Sequence, residues 1–156
     1  FALHGGEAVP ESFPGLLEDL GFDECTGFIR GFIDLVFAHR GRFFLVDWKS
    51  NHLGTGVAHY GPKGLTDAME KNYYLLQAHL YALALHRYLG RRVRGYSYGK
   101  HFGGILYVFV RGVDPAQGPE HGIFRMVPDE GLIEHLDAVM GISARDRESG
   151  HGRAVG

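Results

Sequence analysis

The segment Phe43-Phe44-Leu45-Val46-Asp47-Trp48-Lys49 sets an acid and a lysine directly behind four apolar residues, and that order constrains how the chain folds. A strand turns its side chains over every second residue, so Asp47 and Lys49 share one face while Phe44, Val46 and Trp48 point the other way. Charges in such a segment are costly to bury unless something pairs with them. The stretch Gly31 to Phe37 is equally strand-like and carries Asp34, thirteen positions before Asp47; His39-Arg40-Gly41-Arg42 between them reads as the short polar link of a hairpin. Pairing the two strands brings Asp34 near Asp47. Clustered carboxylates repel unless a positive charge sits between them, and such hard oxygen ligands suit Mg²⁺ or Mn²⁺, which keep waters for a phosphate to displace. Lys49 then reaches the same water or the phosphate. Taken singly, Asp34 reads as a strand-edge acid and Asp47 with Lys49 as a surface ion pair. Their combination within apolar flanks is what argues for a metal site.

The rest of the chain supplies a frame for these strands. Residues 1–26 read as irregular, broken by Gly5-Gly6, Pro10 and Pro14, with a short strand near Phe1–Leu3. Residues 50–64, rich in glycine, form a loop beside the site. Apolar residues at Met69, Tyr73, Leu76, Leu80 and Leu83 recur at helical spacing, which predicts one helix from Thr66 to Leu89 stopped by Gly90. Gln77 and Tyr81 fall one turn apart on one face of it. Phe102 to Val110 reads as a strand buried on both sides at the centre of a mixed sheet. Asp129 caps a last helix carrying Leu132, Ile133, Leu136, Val139 and Met140 and closed by Gly141. The domain therefore occupies residues 1–142, and residues 143–156 form a polar, disordered tail.

With 156 residues, 45% of them hydrophobic, the chain can bury the core of a single domain. Its net charge of -2 is not that of a general nucleic-acid binder, so any nucleic-acid contact depends on local patches. The single cysteine, Cys25, excludes an internal disulfide and a four-cysteine iron-sulfur staple, and a reducing cytoplasm fits. No run approaches the ~18 apolar residues of a membrane span, and no signal peptide is visible. The ten histidines do not fall into a zinc-binding pattern, and no Walker-type phosphate loop occurs.

Asp34, then Asp47-x-Lys49, then Gln77-x-x-x-Tyr81 resembles the PD-(D/E)XK nuclease pattern, in the version found in the RecB-type nuclease domains of bacterial recombination helicase-nucleases (exonuclease V). The wording around it is similar too: Gly31-Phe32-Ile33-Asp34-Leu35-Val36-Phe37, Asp47-Trp48-Lys49-Ser50-Asn51, Leu80 to Leu89, and His101-Phe102-Gly103-Gly104 running on to Arg111-Gly112-Val113. The likeness covers roughly Gly27 to Met140.

This resemblance implies a restriction-endonuclease-like α/β fold, a central mixed sheet flanked by helices, and metal-assisted phosphodiester hydrolysis. It implies Mg²⁺, with Mn²⁺ as substitute, held by Asp34, Asp47 and the backbone carbonyl of Trp48, with Lys49 as the catalytic cation and Gln77 and Tyr81 positioning the strand. The implied partners are DNA, chiefly single-stranded, a helicase domain upstream in the same polypeptide, and further subunits of a RecB-type complex. One feature departs from the family. Its first metal ligand is a histidine on an upstream helix, and His4, beside Gly5-Gly6, does not match that setting. A chain beginning at Phe1 is most simply a piece of a longer polypeptide that lacks the N-terminal part of the domain.

Basic and aromatic residues from Arg87 to Lys100, including Arg91, Arg92, Arg94, Tyr88, Tyr96 and Tyr98, offer a second DNA-binding surface; a solvated helix end or a subunit contact explains them better. Tyr73, one turn before Gln77, either lines the site or packs in the core, and packing is the favoured role. Two other readings stay open: a nuclease fold that only binds DNA or a partner, and a stand-alone PD-(D/E)XK exonuclease of phage or CRISPR type.

Overall fold

The computed structural model describes residues 30–150, with side chains through Met140; the expectations for residues 1–26, including the strand near Phe1–Leu3, and His4 and Cys25 lie outside them. Four strands form one sheet in the order β1 (Leu35–His39), β2 (Arg42–Lys49), β3 (Phe102–Phe109) and β4 (Ile123–Met126). β1 and β4 run antiparallel to their neighbours, whereas β2 and β3 run parallel, so the sheet is mixed and the fold α/β. Helices α1 (Pro62–Lys71), α2 (Tyr74–Arg92), α3 (Tyr98–His101) and α4 (Glu130–Gly150) accompany it, and 3-10 turns occupy Val57–Tyr60 and Pro115–Gln117. Among the described residues no helix is long and apolar enough to cross a membrane.

The hairpin turn fixes the register that the site depends on. Arg40 and Gly41 both adopt positive φ, 49° and 78°, the pair of left-handed residues that a two-residue turn between twisted strands requires. His39 therefore pairs with Arg42, and the ladder ends at Leu35 opposite Val46. The first strand thus begins at Leu35 and ends at His39, later than the expected Gly31 to Phe37. Extending the register by one step sets Asp34 opposite Asp47.

β3 lies between β2 and β4, with seven of its eight residues buried. Its pairing with β2 skips Gly103: Phe43 faces Phe102 and Phe44 faces Gly104. A Cβ at Gly103 would lie 2.5 Å from the Phe44 ring, which itself stacks on Phe37 at 5.2 Å. Glycine here lets an aromatic ring lie flat on the backbone.

The helical region departs most from the sequence reading. The 50–64 loop is shorter than expected, because a 3-10 turn starts at Val57 and α1 at Pro62, where proline suits the first helical turn. The single helix expected from Thr66 to Leu89 is two helices. Asn72 Nδ2 donates to the Ala68 carbonyl at 2.7 Å, closing α1, and Tyr73 takes the left-handed conformation, φ 55°, before α2 begins. That break resets the helical phase. The buried face of α2 is Leu75, Ala78, Ala82, Leu85 and Leu89, with Leu83 beside it, rather than the stripe through Tyr73, Leu76 and Leu80. Nor does Gly90 stop the helix, which runs on to Arg92 and is capped at Val93.

Asp129 does cap the last helix, its Oδ1 accepting from the Leu132 amide at 2.9 Å. The helix continues through Gly141 to Gly150, so residues 143–150, expected as a disordered tail, extend α4; an interior glycine weakens a helix by about 1 kcal/mol without ending it. The core joins Leu45, Ile105, Tyr107 and Phe109 of the sheet to Leu65 and Met69 of α1 and the buried face of α2.

Candidate active site

The site forms where the exit of β2 meets the first two turns of α2. Asp47 and Lys49 are buried, 4% and 9% exposed, on the sheet face that α2 covers, while Trp48 between them is 51% exposed on the other. Lys49 Nζ stands 2.7 Å from Asp47 Oδ2 as a buried charge pair. The ammonium also donates to Gln77 Oε1 at 3.0 Å. Gln77 Nε2 then donates to the Tyr81 hydroxyl at 3.1 Å, which in turn donates to the Phe32 carbonyl at 2.8 Å. Asp34, exposed just ahead of β1, accepts from the Trp48 backbone nitrogen through Oδ2 at 2.9 Å.

The structure thus brings together Asp34, Asp47, Trp48, Lys49, Gln77 and Tyr81. Two further residues enter that the sequence reading missed. The hydroxyl of Tyr107, the cross-strand partner of Asp47, directs its one proton between Gln77 Oε1 at 3.1 Å and the Tyr74 carbonyl at 3.2 Å. The Tyr74 ring lies under Lys49 Nζ, 3.8 Å from its centroid, and its hydroxyl donates to Asn51 Oδ1 at 3.2 Å. Tyr74 precedes Gln77 by three residues, a spacing that shares a helical face, but the expected continuous helix drew attention to Tyr73 instead.

Of the other residues, Tyr73 and Arg87 share a groove with Gln77 and Tyr81, whereas Arg91 and Arg92 stand apart. Tyr73 is not a core residue: it is half-exposed at the helix junction, on a groove of about 470 Å³ that Arg30, Ile33, Gln77, Tyr81 and Arg87 also line. Arg87 is bound to Asp137 of α4 by an ion pair, and its terminal nitrogen also donates to the Asp137 carbonyl at 3.0 Å. Arg91 and Arg92 lie at the far end of α2, about 20 Å along the helix from Gln77 at 1.5 Å per residue. Tyr98 is buried, stacked on Phe102 at 4.5 Å. Beyond Arg87, the cations Arg91, Arg92, Arg94 and Lys100 are exposed at and after the end of α2, and Arg91 and Arg92 do not converge with the acids.

The electrostatics of Asp47 follow from its place. Burial raises its carboxyl above the ordinary 3.8, the contact and charge of Lys49 pull it back, and the nearby Asp34 charge pushes it up again. Burial, followed by the Asp47 charge, raises the Tyr107 hydroxyl as well, so this group remains a donor at any physiological pH. A divalent cation suits the donor set: the carboxylates of Asp34 and Asp47 lie close enough for the charge of one to raise the pKa of the other, and a cation between them removes that repulsion. Among the described residues no three His, Cys, Asp or Glu side chains converge on a common point, so side chains here provide two ligands and leave the rest of the shell to waters or backbone.

Comparison with known proteins bears on the same region of the chain. The chain is 48% identical over 118 residues to the RecBCD enzyme subunit RecB of Escherichia coli (strain K12), an alignment covering 76% of this chain. It is 44% identical over 122 residues to that subunit from Haemophilus influenzae, and 39% over 135 residues to that from Mycolicibacterium smegmatis, covering 78% and 80% of the chain. It spans only about a tenth of these relatives, 10%, 10% and 12% of their lengths. The description of the PD-(D/E)XK nuclease superfamily matches residues 5–146, a span that takes in the whole sheet and the strand-borne Asp47 and Lys49. A match of that extent, on a mixed sheet with an acid and a lysine at one strand's exit, means that the chain belongs to the PD-(D/E)XK nuclease superfamily.

Proposed function

We propose that this chain is the Mg²⁺-dependent nuclease domain of a RecB-like helicase-nuclease, hydrolysing phosphodiester bonds of DNA during double-strand-break repair and homologous recombination. The observation that carries this reading is Lys49, a buried ammonium held between Asp47 Oδ2 at 2.7 Å and Gln77 Oε1 at 3.0 Å. A lysine fixed in that way can orient a water against a phosphate and offset the charge that grows on its oxygens. Asp34 and Asp47 would hold Mg²⁺, with Mn²⁺ as a substitute and the Trp48 carbonyl completing the protein ligands. Bound there, the cation supplies Lewis-acid polarisation of the phosphate and lowers the pKa of water.

The remaining steps fall to the chain's own groups. Asp47 must be ionised to accept the cation, and Lys49, by its charge, favours that state. Gln77 fixes Lys49, and Tyr81 fixes Gln77 while tying both to the Phe32 backbone. Such positioning, lost by about 1 Å, costs up to about a hundredfold in rate. The substrate is DNA, chiefly single strands delivered by a helicase domain of the same polypeptide within a RecB-type complex in the cytoplasm; the similarity to RecB subunits supports this.

The test is cleavage of end-labelled single-stranded DNA by the intact polypeptide carrying Asp47→Ala or Lys49→Ala, with Mg²⁺ present. Both variants should lose cleavage while keeping any DNA unwinding. Full cleavage by both would overturn the reading.

A further inference from the structure

We infer that Tyr107 and Tyr74 are positioning residues for this hydrolysis, together holding the Lys49 ammonium in register with Asp47; the inference rests on the function proposed above. Gln77 Oε1 accepts two hydrogen bonds, from Lys49 Nζ at 3.0 Å and from the Tyr107 hydroxyl at 3.1 Å. An amide group looks nearly the same turned over, and what decides its orientation is its donors and acceptors. Two donors at Oε1 and an acceptor for Nε2 at Tyr81 leave one arrangement. Were Tyr107 unable to donate, Oε1 would be held by Lys49 alone, and the amide that fixes the ammonium would lose its anchor to β3.

Tyr74 closes the other side. Its ring lies 3.8 Å from Lys49 Nζ, within cation–π range, and stacks on the Tyr107 ring at 5.8 Å. The Tyr107 proton is shared between Gln77 Oε1 and the Tyr74 carbonyl at 3.2 Å, both on α2, so one group ties β3 to the start of that helix and orients Gln77. Lys49 is therefore enclosed by a carboxylate, an amide oxygen and two aromatic rings, the second ring 5.2 Å away. A flexible side chain with three rotating donors needs such enclosure to act from one position.

Steady-state cleavage of single-stranded DNA by the intact polypeptide tests this. Tyr107→Phe removes one buried hydroxyl and keeps the ring. It should lower kcat by about 10- to 100-fold with KM within about twofold of wild type. In a Gln77→Ala background the same change should cost clearly less, because the amide it orients is gone and only its tie to the Tyr74 carbonyl remains. Tyr74→Leu should lower kcat on the same scale, and Tyr74→Phe should rescue most of that loss, since it retains the ring beneath Lys49. A kcat within about twofold of wild type for Tyr107→Phe and Tyr74→Leu overturns the inference, as does an equal loss from Tyr107→Phe with and without Gln77. Lys49→Ala measured alongside distinguishes the two failures. An active Lys49→Ala removes the hydrolysis reading itself, whereas an inactive Lys49→Ala beside fully active tyrosine variants removes only the positioning role.

Discussion

Asp34 Oδ2 accepts a hydrogen bond from the Trp48 backbone nitrogen at 2.9 Å, which ties the residue ahead of β1 to the strand between Asp47 and Lys49. One oxygen of Asp34 is thereby spent on the fold, and its charge remains for a cation. Asp34→Asn keeps an acceptor for the Trp48 amide while removing the charge. Its melting temperature should stay near that of wild type, and its Mg²⁺-dependent cleavage should fall by about a hundredfold or more, on the scale of several kcal/mol of lost charge stabilisation. Thermal melting and a cleavage assay on the same preparation check both halves.

The raised carboxyl of Asp47 gives a pH dependence with a definite sign. Folded Asp47 holds its proton above the ordinary 3.8, so without metal its contribution to stability declines as pH rises from 3.8 through the raised value. Mg²⁺ binds the ionised form and restores what is lost. The rise in melting temperature on adding Mg²⁺ should therefore be largest where Asp47 is ionised and shrink as pH is lowered towards its raised value. An equal rise at every pH would contradict this.

Much of this site was legible because strand alternation is a short-range rule. Asp47 and Lys49 share a face whatever the rest of the chain does, and the polar Arg40-Gly41 link announced the hairpin that aligns Asp34 with them. The helical region was less legible for an equally physical reason. Apolar spacing alone could not reveal that Asn72 turns its side chain back onto Ala68 and that Tyr73 accepts a left-handed backbone, and one such residue shifts the phase of everything after it. Tyr107 escaped notice because its role comes from a parallel pairing with Asp47 across more than fifty residues of intervening chain. Arg87, by contrast, looked like a free cation until Asp137 of α4 came beside it.

Gly103 faces the ring of Phe44, and a methyl group there would lie 2.5 Å from it. Phe44 is buried and stacked on Phe37, so it has little room to retreat. Gly103→Ala should destabilise the domain by about 1–3 kcal/mol, the cost of overpacking. Urea unfolding with an unchanged slope and a lower midpoint would be the expected record; an unchanged midpoint would contradict it.

His79 is buried on α2 with Nδ1 2.7 Å from the Leu75 carbonyl. Burial lowers its pKa below the ordinary 6.5, with the Leu75 carbonyl opposing. Because the folded value is depressed, its contribution to stability is complete above 6.5 and is lost as pH falls below it. Melting temperature should decline between about pH 7.5 and about pH 5.5, and His79→Gln, which keeps a donor but does not titrate, should flatten that decline. An equal decline in the variant would assign the effect to another group.

The central claim is that Asp34 and Asp47 hold one divalent cation beside Lys49. Anomalous diffraction from crystals of the intact protein soaked in Mn²⁺ tests it most directly. A single strong peak in contact with both carboxylates, and absent from crystals of Asp47→Ala, is the predicted result. A peak bound elsewhere, or none at these two residues in crystals soaked at millimolar Mn²⁺, would contradict the account.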